Sequence, residues 1–407
     1  MSDKSFIGVV LGGDMNSYAV ARAFYEAYGI KTVIVGQRPI FPTRWSHIVE
    51  GHYYPGLLQN DVLVKAMEDI NALYPDKTKI VFGNTDFYVR HIIVNREAIQ
   101  AISPSFLIPI CQLDLYDRLF DKASFYQLCE KYGLPHPRTV VYDFSKDSFE
   151  SFTVPFEYPV FFKATDSVEF SHFSFEGKQK GYKVDSPEQL KKIISDVSGA
   201  GYKGTFALQE YIEGDDDSMY VYSAYVNSKH KTVAMTGGKI LMHDRTPELI
   251  GNYNAISNAH DEALAEMLRG FLDRIAEDYG FTGICHFDVQ YDAKRQGYVI
   301  FEMNIRQGRS NYYTTASGVN FPKLIVEDYL EHKDQEYFLA DKKFVVSVVP
   351  KSSLKKVLEE GGSRLDPEAE FFRFYLAPYD RGIKRSLYQL LSDRKTMSAY
   401  HKYNEKR

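Results

Sequence analysis

The chain has 407 residues, 44% hydrophobic and 25% charged, with a net charge of −5 and a pI near 6.2. Its length suits about two to four domains, and the acidic balance argues against a nucleic-acid or anionic-membrane partner, either of which favours a basic surface. Three widely spaced cysteines (Cys111, Cys129, Cys285) fit neither a disulfide framework nor a zinc site, and no apolar run approaches the ~18 residues of a membrane span. The expectation is a cytoplasmic protein with reduced thiols and no membrane insertion.

Residues 6–11, FIGVVL, form an apolar run that ends in Gly12-Gly13-Asp14, followed by a helical pattern over Tyr18–Tyr28 and a second apolar run at Thr32–Val35. With a helix at Asp61–Leu73, a strand at Lys79–Phe82 and a helix at Asp86–Asn95, this predicts a doubly wound α/β domain ending near residue 113. GGDMN is not GxGxxG, which counts against a dinucleotide site and an oxidoreductase; it is either a turn that caps the helix or a ligand turn. Asp14, Asn16 and Arg44 are candidate substrate contacts, because ligands of open α/β sheets gather at the carboxyl ends of the strands.

The spacing of Leu119, Phe125, Leu128 and Cys129 predicts one helix over Leu115–Tyr132 containing Lys122 and stopped by Gly133. After a strand at Arg138–Tyr142, YPVFFKAT (158–165) reads as a strand whose Lys163 either snorkels to solvent or points at an anion. The Ser-rich segment Asp166–Gly181, with few apolar anchors, is expected to be a mobile loop. ALQEYIEGDDD (207–217) follows as a strand whose exit can offer backbone groups to a planar base and a carboxylate to a ribose hydroxyl, although Asp215, Asp216 and Asp217 also suit a solvated turn. Met219–Val226 and Val233–Met242 alternate as antiparallel strands, and Asp261–Tyr279 is helical. The stretch 283–311, GICHFDVQYDAKRQGYVIFEMNIRQGRSN, predicts a hairpin of Ile284–Tyr291 and Tyr298–Asn304. Asp288 on one strand and Glu302 and Asn304 on the other can converge, a hard-oxygen set suited to Mg²⁺ held against a nucleotide. Arg306 and Arg309 beyond it suit phosphates or a second carboxylate. Phe321–Leu330 is helical, and residues 340–407 read as a strand plus basic helices.

The order Lys122, Lys163, QEYIEG, Asp288, Glu302, Asn304 resembles the ATP-grasp superfamily. The resemblance implies an ATP-grasp fold of mixed α/β and α+β character: an N-terminal doubly wound α/β (pre-ATP-grasp) domain over 1–113, an ATP-grasp domain over 114–335 with a lid at about 138–215, and a C-terminal extension over 336–407. It implies that Lys122 and Lys163 hold ATP phosphates, that Glu210, Tyr211, Ile212 and Asp215–Asp217 take the adenosine, and that Asp288, Glu302 and Asn304 bind two Mg²⁺. GGDMNSYAVARAFYEAYG (12–29), PTRWSHIV (42–49), DKASFYQLCEKYGLPHPRT (121–139), DSVEFSHFSFEGK (166–178), QEYIEGDDDSM (209–219), IGNY (250–253) and FEMNIRQGRSNYY (301–313) are more closely similar to the D-aspartate ligases of Gram-positive peptidoglycan synthesis. The implied reaction forms an acyl phosphate on the β-carboxylate of D-aspartate, which the lysine ε-amine of UDP-MurNAc-pentapeptide attacks. Arg306 would stabilise the transferred phosphoryl group, Arg309 would grip the carboxylate that does not react, and both count as catalytic together with the phosphate-holding Lys163. A ligase for another donor and amine, or a nucleotide-binding regulator without turnover, is the alternative on the same scaffold.

Overall fold

The computed structural model describes residues 4–214, 218–246 and 252–404, except the side chains of Ser167, Val168 and Asn404. β1 (Phe6–Leu11), buried along its whole length, lies at the centre of a parallel sheet ordered β3-β2-β1-β4-β5 with β2 (Thr32–Gly36), β3 (Val49–Tyr53), β4 (Thr78–Gly83) and β5 (Phe106–Leu107). Helices α1 (Met15–Tyr28), α2 (Asn60–Leu73), α3 (Asp86–Val94) and α4 (Arg96–Ile102) complete this part, so the doubly wound pattern read from the apolar runs holds. β3 escaped sequence reading because its residues, VEGHY, are only half-buried or exposed and show no apolar alternation. Asp14 caps α1, accepting from the Ser17 N–H at 3.0 Å, and Gly29 ends it in the left-handed region at φ 67°.

The single helix expected over Leu115–Tyr132 is two: α5 (Leu113–Phe120) and α6 (Lys122–Tyr132). Asp121 leaves the helical region, with ψ 120°, and its carboxylate accepts from the Ser124 N–H at 2.9 Å, so the chain restarts with a fresh cap. Apolar spacing cannot report that break, because both helices bury the same stripe (Leu115, Leu119, Phe125, Leu128, Cys129) in one core. The consequence is functional: Lys122 stands at the first turn of α6 rather than inside a helix.

A four-stranded antiparallel sheet, β6-β9-β7-β8, follows, built from β6 (Thr139–Asp143), β7 (Val160–Ala164), β8 (Tyr182–Val184) and β9 (Thr205–Glu210), with α8 (Pro187–Gly199) packed on it. Along β7 the residues Val160, Phe162 and Ala164 turn inward, leaving Lys163 on the opposite face. Between β7 and β8 the structure corrects the expectation of an anchor-poor loop. A short helix, α7 (Ser167–Ser171), forms there, and Phe170, Phe173 and Phe175 pack onto the aromatic core of this sheet. Lys178 Nζ donates to the carbonyls of Phe170 (2.9 Å) and Phe173.

The largest sheet runs β14-β13-β10-β11-β12-β16-β17, with β15 (Phe338–Leu339) paired to β11. It contains β10 (Met219–Val226), β11 (Thr232–His243), β12 (Tyr253–Ala259), β13 (Gly283–Asp292), β14 (Gly297–Asn304), β16 (Phe344–Ser347) and β17 (Glu370–Arg373). α9 (Glu262–Tyr279) seats Leu264, Leu268, Phe271, Leu272 and Ile275 against it together with α5 and α6. Burial of one such side chain stabilises by roughly 1.5–3 kcal/mol. The N-terminal sheet and this one share a core in which Val10, Phe24 and Phe82 meet Tyr225, Ile284 and Phe321. α10 (Tyr312–Ala316), α11 (Phe321–Tyr329), α12 (Lys351–Glu360) and α13 (Ile383–Asn404) complete the fold. Among the described residues no helix is long and apolar enough to cross a membrane.

Candidate active site

The hairpin expected over 284–304 is β13 and β14, and its register decides the site. Asp288 lies directly opposite Glu302 and His286 opposite Asn304, with an irregularity between Asp288 and Val289 that adds Phe301 to β14. All three predicted oxygen ligands therefore stand on one face: Asn304 Nδ2 is 3.3 Å from Asp288 Oδ2 and 3.4 Å from Glu302 Oε1.

A buried hydrogen-bond chain supports this face. Tyr253 Oη donates to Asp288 Oδ1 at 3.0 Å and lies 3.1 Å from His286 Nε2; His286 Nδ1 lies 2.9 Å from Ser223 Oγ, which accepts from Tyr313 Oη at 2.9 Å. Every member is satisfied with His286 protonated on Nε2, so that protons point from Tyr313 through Ser223, His286 and Tyr253 to the Asp288 carboxylate. Gly308 packs flat on the His286 ring, where a Cβ would overlap the imidazole, so the chain also fixes the Arg306–Arg309 turn. The period of two through HFD was the only trace of this chain in the sequence; Tyr253 and Tyr313 gave none.

The two predicted lysines meet this face. Lys122 Nζ binds Glu302 Oε2 at 2.8 Å, and Lys163 lies within hydrogen-bonding reach of Lys122. The Lys122 ammonium, ahead of opposing burial, holds the Glu302 carboxyl well below the usual range. Burial works against the charge of Lys122, but Glu302 outweighs it and its pKa is raised. For Lys163 the balance falls the other way: burial, then repulsion by Lys122, outweighs the attraction of Glu302 and lowers its pKa to about 7. Of the two alternatives for Lys163, the charges of Lys122 and Glu302 acting on it favour the one that points at an anion.

Beside the cluster lies a cavity of about 410 Å³ between the N-terminal sheet and the hairpin. Asp14, Asn16, Asp86, Arg306, Arg309 and Tyr375 all border it. Arg309 Nε and Asn16 Oδ1 are buried there with no hydrogen-bond partner among the described residues, while Asn16 Nδ2 donates to the Asn84 carbonyl at 3.2 Å. Burial pushes the Asp14 carboxyl up, with Ser17 and the two arginines pulling the other way. Arg306 is forked onto Asp86, Nε to Oδ1 at 2.6 Å and Nη2 to Oδ2 at 2.8 Å, and its Nη2 also reaches Asn304 Oδ1 at 3.2 Å. Burial opposes its charge, and Asp86, outweighing burial, makes the guanidinium hold its proton more tightly. Sequence reading took Asp86 only as a helix start; its place after β4, at the carboxyl end of a parallel strand, was the available signal.

Other candidates stand elsewhere. Arg44 is exposed, stacked 4.5 Å over the Trp45 ring and absent from the cavity wall. The Glu210 carboxylate is held by the Arg138 N–H (2.7 Å) and side chain (3.0 Å) and by Arg295, so it serves to join β6, β9 and the hairpin turn. Tyr211 stacks under Lys183 at 4.7 Å, and buried Ile212 accepts through its carbonyl from Gln290 at 3.3 Å. Asp215, Asp216 and Asp217 lie outside the described residues.

Two carboxylates and an amide on one face, already pairing a cation at Glu302, form a donor set that suits Mg²⁺, which takes few protein ligands and completes its shell from phosphates and water. Among the described residues there is no cluster of three His, Cys, Asp or Glu that could hold a metal by itself.

No family model matches the chain. It is 34% identical over 338 residues to a D-aspartate ligase of Enterococcus faecium, covering 82% of this chain and 79% of that one. Among solved structures it is similar to N5-carboxyaminoimidazole synthetase from Staphylococcus aureus (TM-score 0.59, 12% identity, 88% and 86% of the two chains). It is also similar to the biotin carboxylase domain of a Hydrogenobacter thermophilus 2-oxoglutarate carboxylase, a complex with the magnesium salt of ADP (TM-score 0.58, 15% identity, 84% and 74%).

Proposed function

Because this chain belongs to the D-aspartate ligase family of ATP-dependent carboxylate–amine ligases and has the ATP-grasp fold, we propose that it phosphorylates the β-carboxylate of D-aspartate and passes the acyl group to an amine. The acceptor in this reading is the lysine ε-amine of UDP-MurNAc-pentapeptide. The observation that carries it is the juxtaposition of a two-lysine, two-carboxylate face with a cavity whose Arg309 has an unpaired buried nitrogen. The first half suits a nucleotide triphosphate; the second suits an acid with one carboxylate to spare.

Phosphoryl transfer asks a protein for position and charge rather than a nucleophile. Lys122 and Lys163 bind the phosphates of ATP. Asp288, Glu302 and Asn304 would hold two Mg²⁺, which when bound neutralise phosphate charge and align the transferred group. Arg306, kept in orientation by Asp86, faces the γ-phosphoryl side of the cluster through Asn304. Arg309 and Asn16 grip the carboxylate and amino groups of aspartate that do not react. An amine arriving at the acyl phosphate displaces phosphate and forms the amide. A panel of amino acids, both enantiomers, with a lysine-containing muropeptide precursor tests the substrates by phosphate release. D-Aspartate should be the preferred donor; preference for another acid would transfer the reading to that donor, and no release with any would remove it.

Lys163 gives a pH signature. With its pKa lowered to about 7 in the free protein, it is partly neutral at pH 7 and mostly neutral at pH 8, and bound phosphates restore its charge. The complex therefore holds more protons than the free enzyme, so affinity strengthens as pH falls toward 7 and levels off below. One-proton linkage makes the ATP Kd about fivefold weaker at pH 8 than at pH 7. Calorimetry in buffers of different ionisation enthalpy should show proton uptake; a flat Kd with none would contradict the role.

We also infer that residues 166–180 close over the triphosphate. Exposed Lys180 at the end of the segment already acts on Lys163, adding to the depression of its pKa. Trypsin should cut at Lys180 in the free protein and several-fold more slowly with Mg-ATP, as for a closing lid. Equal rates with and without nucleotide would count against closure.

A further inference from the structure

The first three turns of α13 are turned inside out, whereas Met397 and Tyr400 farther along pack on an apolar core. Along those turns its inner face is polar: Arg385 is fully buried, donates through Nη2 to the Tyr375 carbonyl (3.2 Å) and is ion-paired with Asp380 (3.3 Å), Gln389 is buried against Asp393, and Asp393 is paired with Arg373 at 2.7 Å. Its outer face is apolar. Ile383, Leu387, Leu390 and Leu391, spaced by four, three and one, fall on one side and are 91%, 58%, 48% and 55% exposed. A surface helix normally shows the reverse.

The charge around this stripe selects its occupant. Arg381, Lys384, Arg394 and Lys395 are exposed beside it or in the next turn, whereas the one acidic residue of α13, Asp393, is buried and neutralised by Arg373. The outer face is therefore apolar and basic with no acid of its own, in a chain whose net charge is −5. A second copy of the same face would set four cations against four. The patch continues through Tyr388, 44% exposed, to the exposed pair Arg44 and Trp45, with the Tyr388 and Trp45 rings 6.1 Å apart.

The geometry points to a peripheral docking site for the surface of an anionic lipid bilayer. The leucines of α13 enter the headgroup boundary, Trp45 and Tyr388 sit at its level, and the flanking basic side chains meet the lipid phosphates. This is adsorption in the plane of the surface, not a span. Phe41, which borders the cavity, packs against Tyr388 with the rings tilted and 4.4 Å apart, so a docked bilayer lies beside the cavity mouth. The whole-chain charge hid this, because it averages one basic face with an acidic remainder.

Flotation of the full chain with vesicles tests it, using equimolar phosphatidylglycerol and phosphatidylcholine against phosphatidylcholine alone. The protein should float with the anionic vesicles and be released by salt. L387E/L391E, which changes only exposed positions, should lower the bound fraction at least about fivefold with unchanged thermal stability and unchanged ATP turnover in solution. Failure to float with anionic vesicles, equal flotation of the variant, or a dimer that L387E/L391E dissociates in place of vesicle binding would each overturn the proposal. None of these outcomes bears on the ligase reading, which solution turnover tests separately.

Discussion

Glu302→Gln is expected to leave a folded protein with at least ~10²-fold less turnover, the scale on which positioned electrostatic groups act. Glu302 occupies the meeting point of the cluster: opposite Asp288, two residues before Asn304, and 2.8 Å from the Lys122 ammonium. A neutral amide can neither share two cations nor hold Lys122 in charge, and the loss also removes the attraction that supports Lys163. The substitution thus damages metal and phosphate binding together. The fold should persist, because the strand pairing of Glu302 is a backbone property and its side chain is 40% exposed. Steady-state kinetics at saturating Mg²⁺ beside a thermal melt separate the outcomes: turnover near wild type would remove Glu302 from the metal site, whereas loss of both turnover and melting temperature would mark it as structural.

Arg309→Lys is expected to raise KM for aspartate about tenfold or more with KM for ATP little changed, the order of one charge-assisted hydrogen bond at ~1.5–3 kcal/mol. Arg309 and Arg306 lie three residues apart in RQGR, yet their states differ. Arg306 is forked on Asp86, while Arg309 presents a buried Nε with no partner among the described residues to the cavity shared with Asn16 and Asp14. A second carboxylate withdrawn from water on binding needs a cation against it, and guanidinium pairs it through two parallel bonds where an ammonium offers a point charge. If Arg309 instead only pinned its turn, lysine would shift both KM values and the melting temperature alike.

What the sequence made legible follows the strength of the local signal. The hairpin announced itself because β-branched and aromatic residues flank a Gly-ended turn, and strand periodicity then put Asp288 and Glu302 within reach of each other. Lys163 was legible as a charged interruption of an apolar run and Lys122 only through the family resemblance, and the break at Asp121 that places Lys122 was not legible, since α5 and α6 keep one apolar stripe across it. Asp86 was hidden by distance: its partner Arg306 is 220 residues away. Residues 166–181 misled through their serines, whose polarity masked Phe170, Phe173 and Phe175 as anchors. Arg44 and Glu210 had the chemistry for ligand contact, but their surroundings direct them to Trp45 and to Arg138 and Arg295, and composition carries no such direction.

An acyl phosphate formed at this site would carry an oxygen of the donor carboxylate onto the phosphate that leaves. D-Aspartate labelled with ¹⁸O in its β-carboxylate, incubated with ATP, Mg²⁺ and the amine acceptor, tests for this transfer directly by mass spectrometry of the phosphate released. Activation by phosphoryl transfer leaves the bridging oxygen on phosphate when the amine displaces it, so each phosphate should carry one oxygen from aspartate. Phosphate released without label would mean that ATP is hydrolysed by water and that no carboxylate is activated here.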